Sequence, residues 1–394
     1  MVPHFMPIPK VIISNRASQR IRGGHPWVFR SDILKAPSVE PGECVSIHEN
    51  NLRFLGIGFF NQKSLITLRV LTQKDIKIDK NFWRQRIEDS FQRRKQSLKS
   101  HSSLRLVYGE CDGLPSLIVD QYKDVVVFQT LSAGMERWKD TIVSLLQEIL
   151  EPQALVERND VPVRSLEGLS QQKGIISGNL PAPFVVEEGT IAFLVDPLEG
   201  QKTGLFLDQI ENHLRTPSFI KGRVLDLFSY QGGFALHSAT QAEEVIAVDS
   251  SEVALNILNQ NKALNGLDNI QPLSSNAFDY LRSCQDHGET FDSIILDPPP
   301  FVRGRTHLSG GIRGYKEINL RAMKILKNGG ILITCSCSQN FTPDLFEQTL
   351  LEAAGDARRK IHILEKRGAS PDHPTLLTFP ESSYLQCWIL RVFE

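Results

Sequence analysis

Four side chains that could bind a charged ligand or attack a substrate follow short apolar runs of the sequence. Asp226 and Asp249 lie at the ends of two such runs, Asp297 follows a third, and Cys337 follows a fourth. Short apolar runs bounded by turn residues predict buried strands. Because an open α/β sheet binds its ligands at the carboxyl ends of its strands, we expect the four side chains to converge there.

The stretch from Arg223 to Asp249 has the order of a nucleotide-binding unit: strand, glycine turn, helix, strand and acidic residue. Gly232 and Gly233 are the adjacent glycines of the turn, and a helix is predicted from Phe234 to about Ala242. A dinucleotide site usually shows GxGxxG at this point, whereas this turn reads DLFSYQGGF. A nucleotide cofactor other than a dinucleotide is therefore favoured.

Two carboxylates indicate which cofactor the turn binds. Asp226 would repel a pyrophosphate, but it suits a cofactor with an ammonium and a sulfonium group. Asp249, at the tip of the second strand, is placed to accept hydrogen bonds from two ribose hydroxyls. With Asn276 at a third strand end, these residues favour S-adenosylmethionine over NAD.

Cys337 and Asp297 together could perform chemistry on a pyrimidine base. Carbon 5 of a pyrimidine is a poor nucleophile unaided, and a thiolate that adds to ring carbon 6 makes it reactive. We expect Cys337 to supply the thiolate and Asp297 to hydrogen-bond the base. Pro298 to Pro300 would stop the strand beside the methyl group of the cofactor. Strand alternation would put Cys335 on the same face as Cys337, and we interpret Cys335 as a small buried hydrophobic residue.

The elements that must position these residues fall into three predicted domains. Residues 1–72 read as a small β domain, residues 73–195 as a helical linker with a central α/β domain, and residues 196–394 as a Rossmann-like domain. Within the second, residues 79–99 predict an amphipathic helix with a strongly basic outer face. Its expected apolar positions are Phe82, Ile87, Phe91 and Leu98.

Charge is divided unevenly along the chain. Up to Arg105 there are 19 Lys and Arg against 8 Asp and Glu, and the remainder has 25 against 37. A basic front with interleaved aromatic residues suits RNA, through phosphate contacts and base stacking. The alternative is a helix with a solvated basic face. The candidate contact cations of the first domain are Arg16, Arg20, Arg22, Arg30, Arg53, Lys63 and Arg69.

Other sequence features concern the cellular compartment. No apolar run approaches the roughly 18 residues of a membrane helix, and the N-terminus lacks the pattern of a signal peptide. The six cysteines form no CxxC pair and no zinc spacing. We therefore expect a cytoplasmic protein with reduced thiols, no metal and no membrane partner.

Several segments resemble the RlmI-type family of class I, S-adenosylmethionine-dependent RNA methyltransferases. They are DLFSYQGGF, LDPPPFVRGR, GYKEINLRAMKILKNGGILITCSCS and GASPDHPTLLTFPESSYLQCWILRV. HPWVFRSDI and GIGFFNQKSLITLRVL resemble the N-terminal PUA domain of that family, and GQKTGLFLDQIENHLR resembles the segment that leads into its methyltransferase domain. The resemblance spans almost the whole chain. It implies an α/β fold in which a Rossmann-like class I methyltransferase domain follows a small β PUA-like domain and a central α/β domain.

The resemblance also implies a reaction and a cofactor site. The reaction is methylation of cytosine at carbon 5 in large-subunit ribosomal RNA. The site consists of a first loop, a ribose contact, an adenine border and a cover over the cofactor. Asp226, Phe228, Tyr230, Gly232 and Gly233 would form the first loop, and Asp249 would contact the ribose. Asn276 and Ala277 would border the adenine, and Asp208 and Gln209 would cover the cofactor.

At the target base, the resemblance implies that Asp297 and Pro298 face the base from the cofactor site and that Cys337 is the nucleophile. Two positions depart from the family pattern. Asn276 stands where an aspartate is common, which changes the adenine contacts. Pro300 stands where a lysine is frequent, which removes one basic contact near the substrate.

Other functions stay open at this stage. An RNA methyltransferase acting on a base nitrogen needs no cysteine and would leave Cys337 idle, and one acting on uracil could use the same thiolate. A non-catalytic RNA-binding or ribosome-assembly protein could keep the fold, although the set of Asp226, Asp249, Asp297 and Cys337 argues against it. The expected partner is RNA, and a homodimer is a candidate assembly.

Overall fold

The computed structural model describes residues 8–98, 102–181, 183–302 and 308–394. The chain divides into two compact units. The first comprises Met1–Phe184, Val195–Leu205 and Asp372–Ser382, and the second comprises Val185–Leu194, Phe206–Pro371 and Ser383–Glu394. The three-domain division at residues 72 and 195 stays a prediction.

The described ranges contain the following strands and helices. The strands are β1 (Lys10–Ile13), β2 (Trp27–Val28), β3 (Ile33–Lys35), β4 (Glu43–His48), β5 (Phe54–Phe60), β6 (Leu68–Thr72), β7 (Ser103–Tyr108), β8 (Leu117–Tyr122), β9 (Val125–Thr130), β10 (Ala154–Arg158), β11 (Lys173–Gly178), β12 (Phe184–Glu188), β13 (Ile191–Val195), β14 (Arg223–Leu227), β15 (Glu244–Asp249), β16 (Ile270–Ser274), β17 (Phe291–Leu296), β18 (Leu326–Ser336), β19 (Lys360–Arg367) and β20 (Gln386–Phe393). The helices are α1 (Asn15–Arg22), α2 (Lys80–Ser97), α3 (Ala133–Arg137), α4 (Lys139–Leu150), α5 (Val163–Leu166), α6 (Ile210–Arg215), α7 (Gly233–Ala239), α8 (Glu252–Leu264), α9 (Ala277–Asp286), α10 (Leu308–Ile325) and α11 (Pro343–Ala357). Every helix in these ranges falls short of the length or the apolar character that a membrane-spanning segment needs.

The first unit is built on two sheets. One has six strands in the order β2-β6-β5-β4-β1-β3, and the other has five in the order β11-β10-β9-β8-β7. The six-stranded sheet confirms the predicted β domain near the N-terminus. Helix α1, which was not predicted, begins where the Ser14 hydroxyl accepts a hydrogen bond from the Ala17 N–H at 3.2 Å.

Helix α2 confirms the amphipathic helix predicted over residues 79–99. It begins after Asp79, whose carboxylate accepts hydrogen bonds from the first backbone N–H groups of the helix. Trp83 and Ile87 are fully buried in the core of the first unit, whereas Phe82 is only partly buried. Three of the four predicted apolar positions, Ile87, Phe91 and Leu98, are therefore buried as expected, and Trp83 takes the place of Phe82.

The basic face of α2 differs from the prediction. Arg94 is 3% exposed and makes two hydrogen bonds with the Asp112 carboxylate, at 2.5 and 2.8 Å. In the six-stranded sheet, Arg69 is also buried and pairs with Glu110 and Glu167. Arg69 is therefore not available as the RNA contact that the sequence suggested, because its charge is satisfied within the unit.

The second unit is organised around a seven-stranded sheet with the order β16-β15-β14-β17-β18-β20-β19. The pairs from β16 to β18 are parallel, and β20 is antiparallel to both β18 and β19. Apolar side chains from both faces of the parallel strands are buried, as expected where helices form the crossovers. This sheet confirms the predicted Rossmann-like α/β fold.

Strand register brings the predicted site residues to one edge of the sheet. Leu227 of β14 lies opposite Val248 of β15 and Leu296 of β17. Asp249 and Asp297 are the next residues along those two strands. Because the three strands are parallel, Asp249 and Asp297 lie at the carboxyl ends of β15 and β17, on either side of the end of β14. The sequence predicted this edge.

Candidate active site

The turn after β14 has an unusual backbone. Phe228 and Tyr230 have φ of 64° and 48°, and Gly232 has φ of 95°. Residues other than glycine rarely adopt positive φ, so contacts around the turn must hold Phe228 and Tyr230 in this conformation. The Ser229 N–H donates to the Val248 carbonyl at 3.1 Å, which joins the turn to the neighbouring strand.

Asp249 also holds the turn. One carboxylate oxygen accepts the Tyr230 N–H at 2.9 Å and the other accepts the Ser251 N–H at 2.8 Å. Each carboxylate oxygen can accept more than one hydrogen bond, so these contacts orient Asp249 and leave capacity for hydroxyl donors. The prediction that Asp249 holds a ribose is compatible with this geometry.

Asp226 is fully buried inside the sheet edge, and neither of its carboxylate oxygens has a hydrogen-bond partner among the described residues. Burial, and then the charges of Asp297 and Asp249, raise the pKa of Asp226 well above its usual range. The Ala235 N–H opposes this shift without reaching hydrogen-bonding geometry. A buried carboxyl group without a donor suits a cationic ligand.

Asp297, Pro298 and Cys337 lie together at this edge. The Asp297 N–H donates to the Leu227 carbonyl at 3.3 Å, which ties the residue to the end of β14. The Cys337 sulfur lies 3.7 Å from the Pro298 carbonyl oxygen. The structure thus places Cys337 beside the Asp297–Pro298 segment, and the chemical roles of these residues stay predictions.

The two cysteines after Thr334 occupy different environments. β18 ends at Ser336, so Cys337 lies just beyond the strand and strand alternation does not fix its direction. Cys335 is fully buried opposite Cys387 of β20, in agreement with a packing role. Burial, followed by contact with Cys387 and the charge of Asp297, raises the pKa of the Cys335 thiol well above its usual range.

Two hydrogen bonds to Ser338 support the loop that carries Cys337. The Ser338 hydroxyl accepts the Val302 N–H at 3.3 Å and lies 3.0 Å from the Tyr315 hydroxyl. All three residues are buried. Sequence reasoning did not identify this support, because its members come from three separate segments of the chain.

Asp208 and Gln209 form a short helical turn before α6 and are both buried. The Tyr384 hydroxyl donates to the Asp208 carboxylate at 2.5 Å. The Gln209 side-chain N–H donates to the Asp297 carboxylate at 3.1 Å. Their predicted role as a cover over the cofactor stays a prediction, but the contact from Gln209 to Asp297 was not expected.

Asn276 and Ala277 begin α9 at the end of β16. The Asn276 side-chain oxygen accepts the Phe278 and Asp279 N–H groups at 2.9 and 3.3 Å, so it acts as the N-cap of the helix. Asn276 is exposed and Ala277 is buried. Their predicted position beside an adenine stays a prediction.

The start of α7 packs against a buried polar cluster. A Cβ atom added to Gly233 would lie 2.5 Å from a carbon of the His213 ring. That ring is held by Glu188, which accepts from its Nδ1 at 2.7 Å, and Glu188 also lies 3.1 Å from Nε2 of His237. Gly233 is therefore required by close approach, and Gly232 by its positive φ.

The motif LDPPPFVRGR is described only in part. Its residues 303–305 lie outside the described residues. Pro299 and Pro300 are exposed, and Phe301 contacts the Phe228 ring with a centroid separation of 6.3 Å. The described part of the motif thus leaves the buried strand, is exposed at Pro299 and Pro300, and is buried again at Val302.

Comparison with known proteins agrees with this geometry. Residues 11–73 match the family described as a PUA-like domain, and residues 172–382 match the family described as S-adenosylmethionine-dependent methyltransferase. A ribosomal RNA large subunit methyltransferase I from Shewanella denitrificans is 39% identical over 379 residues, which cover 94% of this chain and 96% of that protein. The protein of the same name from Erwinia tasmaniensis is 37% identical over 392 residues, covering 97% and 99%.

A solved structure has the same fold. It is described as a candidate SAM-dependent methyltransferase from Streptococcus mutans, and it is 22% identical with a TM-score of 0.85, covering 98% of this chain and all of that one. The sheet order and the strand-end site thus define a class I methyltransferase that uses S-adenosylmethionine. The chain belongs to the S-adenosylmethionine-dependent methyltransferase family, together with the proteins named ribosomal RNA large subunit methyltransferase I.

Proposed function

We propose that this methyltransferase forms 5-methylcytosine in large-subunit ribosomal RNA. The names of its relatives support the RNA class. The observation that carries the base and the position is the contact between Cys337 and the Asp297-Pro298 segment. A thiol beside the segment that carries Asp297, at the carboxyl edge of the sheet, supports a nucleophile that adds to a pyrimidine ring.

Cys337 and Asp297 would act in sequence on a flipped-out cytosine. The Cys337 thiolate forms a bond to ring carbon 6, and the electron pair of the carbon 5–carbon 6 double bond moves to carbon 5, from which it attacks the methyl group. The Asp297 carboxylate accepts a hydrogen bond from the exocyclic amino group of the base and so holds the ring in position. S-adenosylmethionine supplies the methyl group for carbon 5. A base, in the simplest case a water molecule, then takes the proton from carbon 5. The carbon 5–carbon 6 double bond re-forms, and the carbon–sulfur bond breaks to release the Cys337 thiolate.

Two carboxyl groups at the carboxyl edge of the sheet support S-adenosylmethionine as the ligand of this site. Asp226 offers a buried carboxyl group with no hydrogen-bond partner among the described residues, which favours the ammonium or sulfonium end. Asp249 retains acceptor capacity for ribose hydroxyls. We propose that the other residues complete the site: Asp208, Gln209, Phe228, Tyr230, Gly232, Gly233, Asn276, Ala277, Asp297 and Pro298.

We propose that the PUA-like domain contacts the RNA backbone through its exposed cations, which are Arg16, Arg22, Arg30, Arg53 and Lys63. Arg69 is excluded because it is buried and paired. Phosphate contacts of this kind make affinity fall steeply as salt increases. A cytoplasmic location and a homodimeric assembly are parts of the same proposal.

The decisive assay uses tritiated S-adenosylmethionine and ribosomal RNA from a strain that lacks this protein, with digestion of the product to nucleosides. We expect label in 5-methylcytosine, at least about 100-fold less label with Cys337→Ala, and unchanged cofactor affinity by calorimetry. Cys335→Ala is the matched control, since Cys335 is buried two residues away and should retain activity. Full activity of Cys337→Ala, or label in an N-methylated base, would falsify the cysteine mechanism.

A further inference from the structure

A directed chain of hydrogen bonds leads to Asp297 within the second unit. Arg367 Nε donates to Asn212 Oδ1 at 2.9 Å, and Asn212 Nδ2 donates to Gln209 Oε1 at 2.7 Å. Gln209 Nε2 in turn donates to Asp297 Oδ1 at 3.1 Å. Asn212 and Gln209 are both 2% exposed, so the chain runs through the interior of the unit.

The chemistry of the groups fixes the direction of this chain. A guanidinium group has donors only, so Asn212 must present its oxygen to Arg367. The Gly368 carbonyl accepts from Asn212 Nδ2 at 3.0 Å, which imposes the same orientation independently. Asn212 can therefore only donate to Gln209, and Gln209 must present its N–H to Asp297.

We propose that Asn212 is a positioning residue for methyl transfer and acts through Gln209. By fixing the Gln209 amide, it keeps an N–H donor directed at Asp297 and so holds Asp297 as an ionised acceptor with one defined oxygen. This inference rests on the proposed function for the contact between Asp297 and the base. Arg367 terminates the chain and sets its direction.

The donor from Gln209 opposes the other groups around Asp297. On the β14 side, the Asp226 carboxyl interacts with Asp297. On the β18 side, the Cys335 thiol interacts with both Asp297 and Gln209, and the Cys337 sulfur lies beside Pro298. An ionised Asp226 carboxylate would favour a neutral Asp297, whereas the N–H donor of Gln209 favours the Asp297 carboxylate.

The variant Asn212→Asp reverses the direction of the chain. Its side chain has two acceptor oxygens and still binds Arg367, but it cannot donate to Gln209. The Gln209 amide is then expected to turn its N–H towards position 212 and its oxygen towards Asp297. An oxygen facing a carboxylate disfavours the ionised form.

Wild type, Asn212→Asp, Gln209→Leu and the double variant are compared between about pH 5.5 and about pH 9. For Asn212→Asp we expect kcat to fall about tenfold and its acidic limb to move up by about one pH unit. The dissociation constant for S-adenosylmethionine should stay within about threefold. In the Gln209→Leu background the same substitution should leave the limb in place.

Asn212→Leu is the structural control, because it removes the hydrogen bonds without reversing Gln209. It should lower the melting temperature and move the acidic limb by less than Asn212→Asp does, because the Gln209 amide is released rather than reversed. An unmoved limb in Asn212→Asp, or an equal shift in both backgrounds, refutes positioning through Gln209. If Asn212→Asp does not fold, Gln209→Glu places an acceptor directly against Asp297, and an unmoved limb there has the same consequence.

The same assay separates this inference from the proposed function. The product nucleoside is identified in parallel, and a product other than 5-methylcytosine overturns the proposed function. The acidic limb of the pH profile is measured from the total label transferred to RNA. It therefore decides the role of Asn212 whichever base is methylated.

Discussion

At the scale of single residues, the Asp226 carboxyl is the group whose acidity the fold changes most clearly at the proposed site. Burial and the charges of Asp297 and Asp249 raise its pKa in the folded protein. The folded state therefore binds this proton more readily than the unfolded state does. The contribution of Asp226 to stability is fully present below its unfolded pKa, and it is lost as pH rises from about 4 towards the raised value.

Binding of S-adenosylmethionine should be linked to release of the Asp226 proton. Since a cation favours the carboxylate, we expect the affinity for S-adenosylmethionine to rise with pH. Asp226→Asn should lower that affinity at least tenfold at about pH 8 and flatten its dependence on pH. In the absence of cofactor, Asp226→Asn should raise the melting temperature at neutral pH. Calorimetry and thermal unfolding test both points. The exposed Asp268→Asn serves as control, and unchanged affinity in Asp226→Asn would exclude the cation contact.

At the scale of elements, the first turn of α7 is fixed by packing rather than by a side-chain cap. Gly232 occupies the N-cap position with positive φ, and Gly233 lies against the His213 ring. The hydrogen bond from His213 to Glu188 restricts movement of that ring. The backbone of the proposed cofactor loop therefore depends on the cluster of His213, Glu188 and His237. No described hydrogen bond joins this cluster to Asp226 or Asp249.

We expect Gly233→Ala to destabilise the second unit by about 1–3 kcal/mol, because the new methyl group overlaps the His213 ring. Its affinity for S-adenosylmethionine should fall as well, since the loop must shift. Gly355→Ala is the matched control: Gly355 lies in α11 with open space around it, so alanine should stabilise by up to about 1 kcal/mol. Urea unfolding measures both. A neutral Gly233→Ala would show that the His213 ring can move.

At the scale of the whole molecule, the uneven charge of the sequence is balanced in part within the first unit. Arginines from the basic front pair with carboxylates that follow residue 105: Arg69 with Glu110, Arg94 with Asp112, and Arg105 with Asp120. The net charge of the first 105 residues therefore overstates what a polyanion would meet. Exposed cations such as Arg53 and Lys63 are the residues that we expect to contact RNA phosphates.

The Arg94–Asp112 pair should be a major support of the first unit. Although burial opposes it, Arg94 and Arg93 lower the pKa of Asp112. The contribution of Asp112 is thus complete above about pH 4 and lost as pH falls through the lowered value. We expect Asp112→Asn to cost about 3–5 kcal/mol at pH 7, because Arg94 is left buried without a counter-charge.

Chemical denaturation at pH 7 and at about pH 3 tests the Asp112 prediction, since the difference between wild type and Asp112→Asn should shrink in acid. Asp89→Asn is the control, because Asp89 is exposed on the same helix as Arg94. A loss below about 1 kcal/mol at pH 7 would place the pair among weak surface contacts.

The sequence by itself determined the elements of the second unit and the edge where its acidic residues lie. The apolar runs at Asp226, Asp249, Asp297 and Cys337 marked β14, β15, β17 and β18, and each is a strand. This succeeded because apolar runs and turn glycines are local signals. Parallel strands then bring their carboxyl ends together, so Asp226, Asp249 and Asp297 could be grouped before any contact was known.

The tertiary structure alone decided which polar groups satisfy one another. Arg94 and the Asp372 carbonyl are hydrogen-bonded at a separation of 278 residues, and Gln209 reaches Asp297 across 88 residues. The sequence marked Arg94 only as part of a basic face and Gln209 only as part of a resembling segment. Gln209 and Asn212 share the i, i+3 spacing of one helical face, which was the one available signal. Partners this remote cannot be paired from periodicity, because burial and direction are set only when distant segments pack together.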